Sequence, residues 1–297
     1  MKISHNSSIL ITGSTGFLGK ALVKHLKKKK YYLISLQVIR SNTKKTKNTL
    51  VDETIYVESL DNVNFQLKSK KIDAIVHLAT DYGIESPDYV KSCNYDFPKA
   101  LLDYATQNSI KFFLNADTFF SDLPDSYPYL KEYRNWKKLL RDYGKKLSLS
   151  NKICFYNLRI FHMFGPSDSA GKFVHDMKKK MSADEDLIDL TDCTQLRDFI
   201  YIDDVVSAFE IVLRHRENIR DSYKNYDVGS GKKVSIKYFL LKLKEKLNSK
   251  SYLNFGALTK RKGESDLELI SADIKPLLKL GWKISKKLDD NISSLIK

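Results

Sequence analysis

Short apolar runs rich in β-branched residues alternate with longer amphipathic stretches through the first half of the chain. The short runs predict strands at 9–12, 32–39, 55–57, 72–78, 111–114 and 153–160. Apolar residues at helical spacing predict helices at 17–26, 95–107 and 129–143. Strands that alternate with helices predict an α/β fold, in which helices cover both faces of a parallel sheet.

The pattern becomes less regular after Gly165 and Pro166, where helical stretches and loops replace the alternation. We therefore expect a first domain at 1–165 and a smaller lobe at 166–297. The apolar segment at 197–212 is expected to pack back onto the first domain.

Three glycines separate the first predicted strand from the first helix, in ILITGSTGFLGKAL at 9–22. A backbone without side chains lets the N–H groups of a helix N-terminus approach phosphates closely. This GxxGxxG spacing in a strand–turn–helix setting predicts a dinucleotide site. Its residues are Gly13, Thr15, Gly16, Phe17, Leu18 and Gly19.

The segment after the second strand, VIRSNTKKTK at 38–47, bears on which cofactor binds. An acidic residue at this place binds the ribose 2′-hydroxyl of NAD, whereas a basic residue accepts the 2′-phosphate of NADP. The segment has Arg40 and Ser41 and no acid. NADP(H) is therefore favoured, and NAD(H) stays open.

Tyr133 and Lys137 follow the fifth predicted strand and lie four residues apart. This spacing places both side chains on one face of a helix. A nearby ammonium favours the phenolate, which suits proton transfer at a carbinol carbon. Tyr127 and Lys131 have the same spacing, but Pro128 would lie at the helix start, so Tyr133 and Lys137 are favoured.

The formal net charge of +15 is compatible with nucleic acid, an anionic membrane surface or a polyanionic substrate. Neither a nucleic-acid-binding motif nor an apolar run of membrane-spanning length accompanies the charge. The N-terminal segment does not resemble a signal peptide. We expect a cytoplasmic protein with a small anionic ligand and without a nucleic-acid or membrane partner. Cys93, Cys154 and Cys193 are far apart, so neither a disulfide framework nor a metal site is expected.

Over nearly the whole chain, these segments resemble the extended short-chain dehydrogenase/reductase superfamily, in its NAD-dependent epimerase/dehydratase branch. TGSTGFLG at 12–19 resembles the TGxxGxxG loop of that family, and HLAT at 77–80 resembles its HLAA segment. RDFIYIDD at 197–204 resembles its motif R-[DE]-[FWY]-[IV]-[HY]-[IV]-x-D. The resemblance implies a Rossmann-type doubly wound parallel sheet that binds the cofactor, a smaller C-terminal lobe that binds a nucleotide sugar, and a homodimer.

The resemblance also implies ligand contacts outside the glycine loop. Leu78, Ala79 and Thr80 would lie beside the nicotinamide ribose, and two arginines would hold the diphosphate of a nucleotide sugar. His162 stands where the family has an asparagine. The residues expected to bind the substrate are Asp81, His162, Lys172, Arg197 and Arg261.

The end of the fifth strand departs from the pattern of the family, S-[ST]-x-x-V-Y-G. In NADTFF at 115–120, Ala116 stands where a hydroxyl is expected, and Thr118, a water or another donor must replace it. Asp117 is followed by Thr118 and not by the glutamate of the sugar-nucleotide dehydratases, which argues against dehydration. The resemblance thus implies a catalytic set of Tyr133, Lys137, Thr118 and Asp117.

Within the branch, HLATDYG at 77–83, NADTF at 115–119, HMFGP at 162–166 and RDFIYIDDV at 197–205 resemble the CDP-abequose synthase-like 4-ketoreductases. This implies NADPH-dependent reduction of the 4-keto group of a nucleotide-linked 6-deoxy sugar, in polysaccharide or O-antigen sugar biosynthesis. The alternatives are a nucleotide-sugar 4-epimerase or dehydrogenase, and a non-catalytic cofactor-sensing protein that only Ala116 favours.

Overall fold

The computed structural model describes residues 7–39, 45–46, 48–59, 62–83, 86–124, 127–216, 218, 221–261 and 271–296. The chain divides into two compact units. The first consists of Met1–Asp122, Leu130–Arg159 and Val206–Tyr226, and the second of Leu123–Tyr129, Ile160–Val205 and Asp227–Lys297. The boundary that the sequence predicts, at 165–166, lies inside the second unit. The segment that returns to the first unit is 206–226, where the sequence predicts 197–212.

The strands of the described residues are β1 (Ser8–Thr12), β2 (Tyr32–Val38), β3 (Glu53–Val57), β4 (Ala74–His77), β5 (Phe112–Thr118), β6 (Cys154–Ile160), β7 (His162–Phe164), β8 (Leu187–Leu190), β9 (Leu196–Arg197), β10 (Phe199–Tyr201), β11 (Tyr223–Val228), β12 (Val234–Ser235) and β13 (Tyr252–Phe255).

The helices are α1 (Phe17–Lys28), α2 (Asn62–Leu67), α3 (Pro87–Lys91), α4 (Phe97–Gln107), α5 (Lys131–Leu149), α6 (Phe173–Ser182), α7 (Ile202–His215), α8 (Ile236–Leu247), α9 (Lys275–Lys279) and α10 (Leu288–Ile296). A π-helical turn at Ser92–Asp96 joins α3 to α4, and a 3₁₀ turn at Phe119–Asp122 follows β5. None of the described helices is both long enough and apolar enough to cross a membrane.

Seven strands form one sheet in the order β11-β6-β5-β4-β1-β2-β3. The pairings from β3 through β5 are all parallel, with Ile9 of β1 opposite Leu33 of β2 and Ala74 of β4. The chain moves outward from β1 toward β3 and then continues on the other side of β1 at β4. This is the doubly wound Rossmann-type order, which binds ligands beyond the carboxyl ends of the strands where the direction reverses.

The core of the first unit forms because the central strands are apolar on both faces. All five residues of β1 are buried, and the covering helices present apolar faces to the sheet. Leu10, Ile34, Ile75, Leu101 and Phe113 belong to one buried cluster. Removal of this surface from water is the main force that holds the helices on the sheet.

The described residues of the second unit include three separate pairs of short strands. β7 pairs with β10 and β8 with β13 in parallel, whereas β9 and β12 are antiparallel. Each of these strands has two to four residues. Such short strands have too few positions for a clear period of two, which is why the sequence pattern leaves this half irregular.

Candidate active site

Two of the three loop glycines are required by the protein's own backbone. Gly13 has a φ of 68°, and a Cβ atom there would lie 2.6 Å from the amide nitrogen of Ala79. A Cβ on Gly19 would lie 1.9 Å from the carbonyl oxygen of Gly13. Only glycine allows the loop to turn this tightly between β1 and α1.

Gly16 differs because no protein atom requires its lack of a side chain. It is exposed, and a Cβ there would meet only the Gly13 carbonyl oxygen, at 3.4 Å. Gly16 is also the N-cap of α1, and no side chain caps this helix. An uncapped N-terminus beside a bare backbone fits the pyrophosphate of a dinucleotide.

Residues that were not predicted from the sequence hold the glycine loop through hydrogen bonds to Ser14. The Ser14 hydroxyl lies 2.6 Å from the Ser35 hydroxyl on β2, and the Asn48 side chain donates to the Ser14 carbonyl oxygen at 3.0 Å. Of the predicted loop residues, Thr15 and Phe17 are partly exposed and Leu18 is buried. The predicted 2′-phosphate contacts, Arg40 and Ser41, lie outside the described residues.

Thr12 organises the carboxyl end of β4. Its hydroxyl lies 2.8 Å from Nδ1 of His77 and accepts from the N–H groups of Leu78 and Ala79 at 3.2 and 3.3 Å. Burial, aided by the charge of Lys137, holds the pKa of His77 well below its usual value. The imidazole is therefore neutral, and its role here is to position the backbone next to the glycine loop.

Asn94 in the π-helical turn holds Thr80 and Asp81, the two residues that follow Ala79. Its side-chain oxygen accepts from the Thr80 hydroxyl at 2.8 Å, and its amide donates to the Asp81 carbonyl oxygen at 2.7 Å and to Val90 at 2.9 Å. The carboxylate of Asp81 accepts from the N–H of Gly83 at 3.0 Å. Thr80 and Asp81 thus have a defined orientation at the edge where ligands bind.

Tyr133 lies in the second position after the start of α5 and is 4% exposed. Burial raises the pKa of its phenol well above the usual value, with smaller contributions from Tyr82 and Asp117, whereas hydrogen bonds with Thr80 and Thr118 lower it. The ring centroids of Tyr82 and Tyr133 are 5.0 Å apart. Tyr82 was not among the predicted site residues, although it belongs to the quoted HLATDYG segment.

Lys137 is 1% exposed and lies one helical turn after Tyr133. Its Nζ donates to the Ala116 carbonyl oxygen at 2.9 Å. Burial lowers the pKa of Lys137, and the charges of Asp117 and Cys93 raise it. Burial, and not the effect of the ammonium on the phenol that the sequence predicts, is the largest influence on the protonation of both groups.

Ala116 and Thr118 lie two residues apart on β5, so they share one face of the strand. This register brings Thr118, not position 116, to the Tyr133 phenol. Asp117 points to the opposite face, where its carboxylate is enclosed by Asn157, Ser121 and Arg141. Of the predicted catalytic set, Tyr133 and Thr118 thus hydrogen-bond each other, Lys137 binds the Ala116 carbonyl of the same strand, and Asp117 lies on the other face.

The competing pair, Tyr127 and Lys131, does not share a helix. Tyr127 precedes α5, which begins at Lys131. Tyr127 is buried, with its ring 6.0 Å from that of Tyr129. The i, i+4 geometry on which the sequence argument rests is thus present only for Tyr133 and Lys137.

Two predicted substrate contacts meet in the second unit. His162 on β7 is in register with Phe199 on β10, and Phe199 follows Arg197 by two residues. Burial and the charge of Arg197 lower the pKa of His162 to about 3, against a smaller opposing effect of the Asp198 carbonyl. Arg197 is buried and donates to the Leu196 carbonyl oxygen at 2.8 Å. A neutral imidazole beside a cation is suited to an anionic or hydroxylated ligand.

The same unit contains two further predicted contacts, Lys172 and Arg261. Lys172 is the N-cap residue of α6, and burial lowers the pKa of its ammonium while Asp168 raises it. Arg261 is exposed and lies over the ring of Tyr129, 4.3 Å from its centroid.

Asp198 is a buried residue whose importance the sequence analysis did not identify. It accepts from the N–H groups of Ser230, Gly231 and Ala272 at 2.6, 3.0 and 3.1 Å. A Cβ on Gly229 would lie 2.8 Å from its Oδ2. The acidic position of the RDF motif thus anchors two loops, and only the tertiary structure shows this role.

Comparison with known proteins shows the family to which the chain belongs. Residues 9–229 match the model of the NAD dependent epimerase/dehydratase family. A CDP-abequose synthase from Salmonella muenchen is 34% identical, over 98% of this chain and 97% of its own. A dTDP-4-dehydro-6-deoxyglucose reductase from Escherichia coli is 26% identical, over 99% and 98%.

Among solved structures, the UDP-glucose 4-epimerase of Thermotoga maritima, determined with UDP-glucose, has a TM-score of 0.81 and is 19% identical, over 97% of each chain. This likeness confirms the predicted Rossmann-type fold. The match to the family covers 9–229, from the glycine loop through α5 to the strand β11. The chain therefore belongs to the NAD-dependent epimerase/dehydratase family and is an NAD(P)-dependent enzyme of the short-chain dehydrogenase/reductase type.

Proposed function

We propose that this enzyme uses NADPH to reduce the 4-keto group of a nucleotide-linked 6-deoxy sugar. The observation that carries the proposal is that Tyr133 hydrogen-bonds Thr118, and Lys137 the Ala116 carbonyl, both at the carboxyl end of β5. The names of the two relatives, a CDP-abequose synthase and a reductase of a 4-dehydro sugar nucleotide, support this substrate class.

The residues that would hold the cofactor are in the first unit. The loop from Gly13 to Gly19 would hold the pyrophosphate, and the segment 78–80 would lie along the ribose. Bound NADPH would supply a hydride to the carbonyl carbon of the sugar. We prefer NADPH to NADH because Arg40 and Ser41 replace the acid that NAD-binding loops use.

Tyr133 would donate the proton that the carbonyl oxygen needs. Its buried environment keeps the phenol protonated, which suits an acid in reduction better than a base in oxidation. Thr118 hydrogen-bonds the phenol and would orient both it and the sugar oxygen. The cationic Lys137, held by the Ala116 carbonyl, would stabilise the phenolate that remains after proton transfer.

The other predicted contacts carry groups that suit the rest of the substrate. The guanidinium groups of Arg197 and Arg261 can each form paired hydrogen bonds with phosphate oxygens, so we assign them to the diphosphate. We assign Asp81, His162 and Lys172 to the sugar and its hydroxyl groups. The proposal includes a cytoplasmic homodimer that acts in polysaccharide or O-antigen sugar biosynthesis.

The test is a panel of CDP-, GDP-, dTDP- and UDP-linked 4-keto-6-deoxy sugars, each incubated with NADPH and, separately, with NADH. We expect one nucleotide to be preferred and one NADPH to be consumed for each sugar reduced. Interconversion of two 4-hydroxy sugars with no net consumption of NADPH would instead show a 4-epimerase. Net reduction of added NAD⁺ by a 4-hydroxy sugar would show a dehydrogenase.

A further inference from the structure

The carboxylate of Asp117 is enclosed on every side by donors. Its Oδ1 accepts from the N–H of Thr118 at 2.8 Å, and its Oδ2 accepts from Asn157 at 2.7 Å and Ser121 at 3.3 Å. A guanidinium nitrogen of Arg141 lies 3.6 Å from Oδ2, and the side chain of Asp117 is fully buried. A buried charge requires such pairing, and here the protein's own donors supply it.

Helix α5 places two cations around this carboxylate. Tyr133, Lys137 and Arg141 follow one another at intervals of four residues, so they line one face of the helix. Lys137 binds the carbonyl oxygen of Ala116, which precedes Asp117 in the chain. Both cations are buried, and Asp117 interacts electrostatically with each of them. Asp117 is thus the anion shared by the ammonium of the active site and a guanidinium one turn further on.

Three amide side chains on adjacent strands fix the orientation of this anion. Asn157 on β6 donates to Asp117 and also to the side-chain oxygen of Asn225 on β11, at 2.7 Å. Asn115 on β5 donates to the side-chain oxygen of Asn157 at 2.7 Å. Because an ionised carboxylate can only accept hydrogen bonds, it determines which way each amide points.

We propose that Asp117, held by Asn157 and Arg141, is a positioning residue that sets the charge state of the Tyr133–Lys137 pair without touching the substrate. The inference rests on the proposed function and deepens it. In this view Asp117 does not react with the substrate, and its negative charge acts on Tyr133 and Lys137. Asn157 and Arg141 then acquire roles that the sequence pattern does not suggest.

Other titratable and charged groups also face this cluster. Tyr82 and His77 approach from the end of β4, Cys93 from the π-helical turn, and Asp122 from the turn after β5. Arg159 on β6 pairs with Asp122, and Tyr223 on β11 interacts with Arg141 and Asp117. Among the groups that affect both members of the pair, Asp117 is the one that raises the pKa of Tyr133 and the pKa of Lys137.

The expected effect of removing this charge follows from those two directions. Without the carboxylate, the phenol of Tyr133 and the ammonium of Lys137 both lose their protons at lower pH. Reduction needs the protonated form of each group. The alkaline limb of the kcat profile is therefore expected to move to lower pH in Asp117→Asn, by about one pH unit.

The experiment compares pH profiles of kcat and KM for wild type and Asp117→Asn. Loss of packing alone would lower kcat equally at every pH and leave the limb in place, which would overturn the proposal. The double variant Asp117→Asn/Asn157→Asp restores a carboxylate–amide bond and moves the charge one side chain away. We expect this variant to recover the stability of wild type, while the alkaline limb of its kcat profile stays at lower pH than that of wild type. Full recovery of the wild-type limb would also overturn the proposal, and this variant decides the question if the single one does not fold.

A second readout does not depend on catalysis. NMR of the full-length protein with isotope-labelled lysine follows the titration of Lys137, whose signal is assigned by its loss in Lys137→Arg. The midpoint is expected to fall in Asp117→Asn, and an unchanged midpoint would refute the inference. If wild type reduces no 4-keto sugar nucleotide, the proposed function fails, while this titration still tests the charge coupling.

Discussion

Asp117 in the first unit and Asp198 in the second are both buried carboxylates, but their partners differ. Burial raises the pKa of Asp117 in the first unit and of Asp198 in the second. The N–H groups of three separate residues donate to Asp198, so its carboxylate holds the loops at 230–231 and 272 in place. Asp117 has mainly side-chain partners, among them the cation Arg141. Both carboxylates are buried, so burial does not distinguish their roles. A carboxylate bound by backbone N–H groups holds loops, whereas one bound by charged side chains affects the pKa values of neighbouring groups.

The largest expected effect is loss of the anchor. Asp198→Ala leaves three buried or partly buried N–H groups without their acceptor, and we expect the free energy of unfolding to fall by about 3 kcal/mol. Urea denaturation measures the change. Asp192→Ala, at an exposed carboxylate of the same unit, is the control and is expected to shift the midpoint little. Equal effects of the two substitutions would remove the basis of the comparison.

Substitutions in the glycine loop distinguish a structural from a ligand-binding requirement. Gly13→Ala introduces a side chain at positive φ against the backbone of Ala79, so we expect a loss of about 2 kcal/mol in stability. Gly16→Ala meets no close protein atom and should leave thermal stability near that of wild type while it weakens NADPH binding. Thermal denaturation and calorimetric titration measure the two properties. Unchanged NADPH affinity in a folded Gly16→Ala would contradict the assignment of the pyrophosphate.

A smaller effect is expected at the strand end. Thr118→Val removes a hydroxyl that hydrogen-bonds Tyr133, and we expect kcat for ketone reduction to fall about tenfold, equal to about 1.4 kcal/mol. Ala116→Ser, on the same strand face, is the matched control because it restores the hydroxyl of the family pattern. Steady-state kinetics decide between the positions. If Thr118→Val is fully active, Thr118 is not the replacement for the missing serine.

The smallest effect concerns the pH dependence of stability. His162 has a pKa of about 3 in the folded protein, whereas an unfolded histidine takes up its proton near pH 6.5. Acidification therefore favours the unfolded chain, and lowering the pH from 7 to 6 should cost about 0.7 kcal/mol through this group. Urea midpoints at the two pH values measure the slope. His162→Asn should have the shallower slope, and parallel slopes would show that His162 takes up its proton equally in the folded and the unfolded protein.

Local patterns predicted much of the first unit and little of the second. The glycine loop and the spacing of Tyr133 and Lys137 depend on residues close in sequence, which is where periodicity is informative. The strand predicted to end at residue 114 continues to Thr118, and this extension gives Ala116 and Thr118 a common face.

Contacts between distant segments explain what the sequence did not predict. Asn48 and Ser14 are 34 residues apart, and Asn157 and Asp117 are 40 apart. The predicted helix at 95–107 begins earlier, at Pro87, and passes through a π-helical turn that lets Asn94 bind Thr80 and Asp81. Residues that make such long-range contacts do not recur at a regular spacing along the chain, so a periodic pattern of apolar and polar positions does not identify them.

The central claim is that the Tyr133 phenol donates the proton in ketone reduction. The most direct measurement is single-turnover reduction of the preferred 4-keto sugar nucleotide by Tyr133→Phe and by Tyr82→Phe, with NADPH affinity measured for both. The two rings are 5.0 Å apart, so the neighbour is a matched control. We predict a loss of about a thousandfold in the rate for Tyr133→Phe with NADPH affinity retained, and a loss below about tenfold for Tyr82→Phe. A Tyr133→Phe variant that turns over at the wild-type rate would contradict the account.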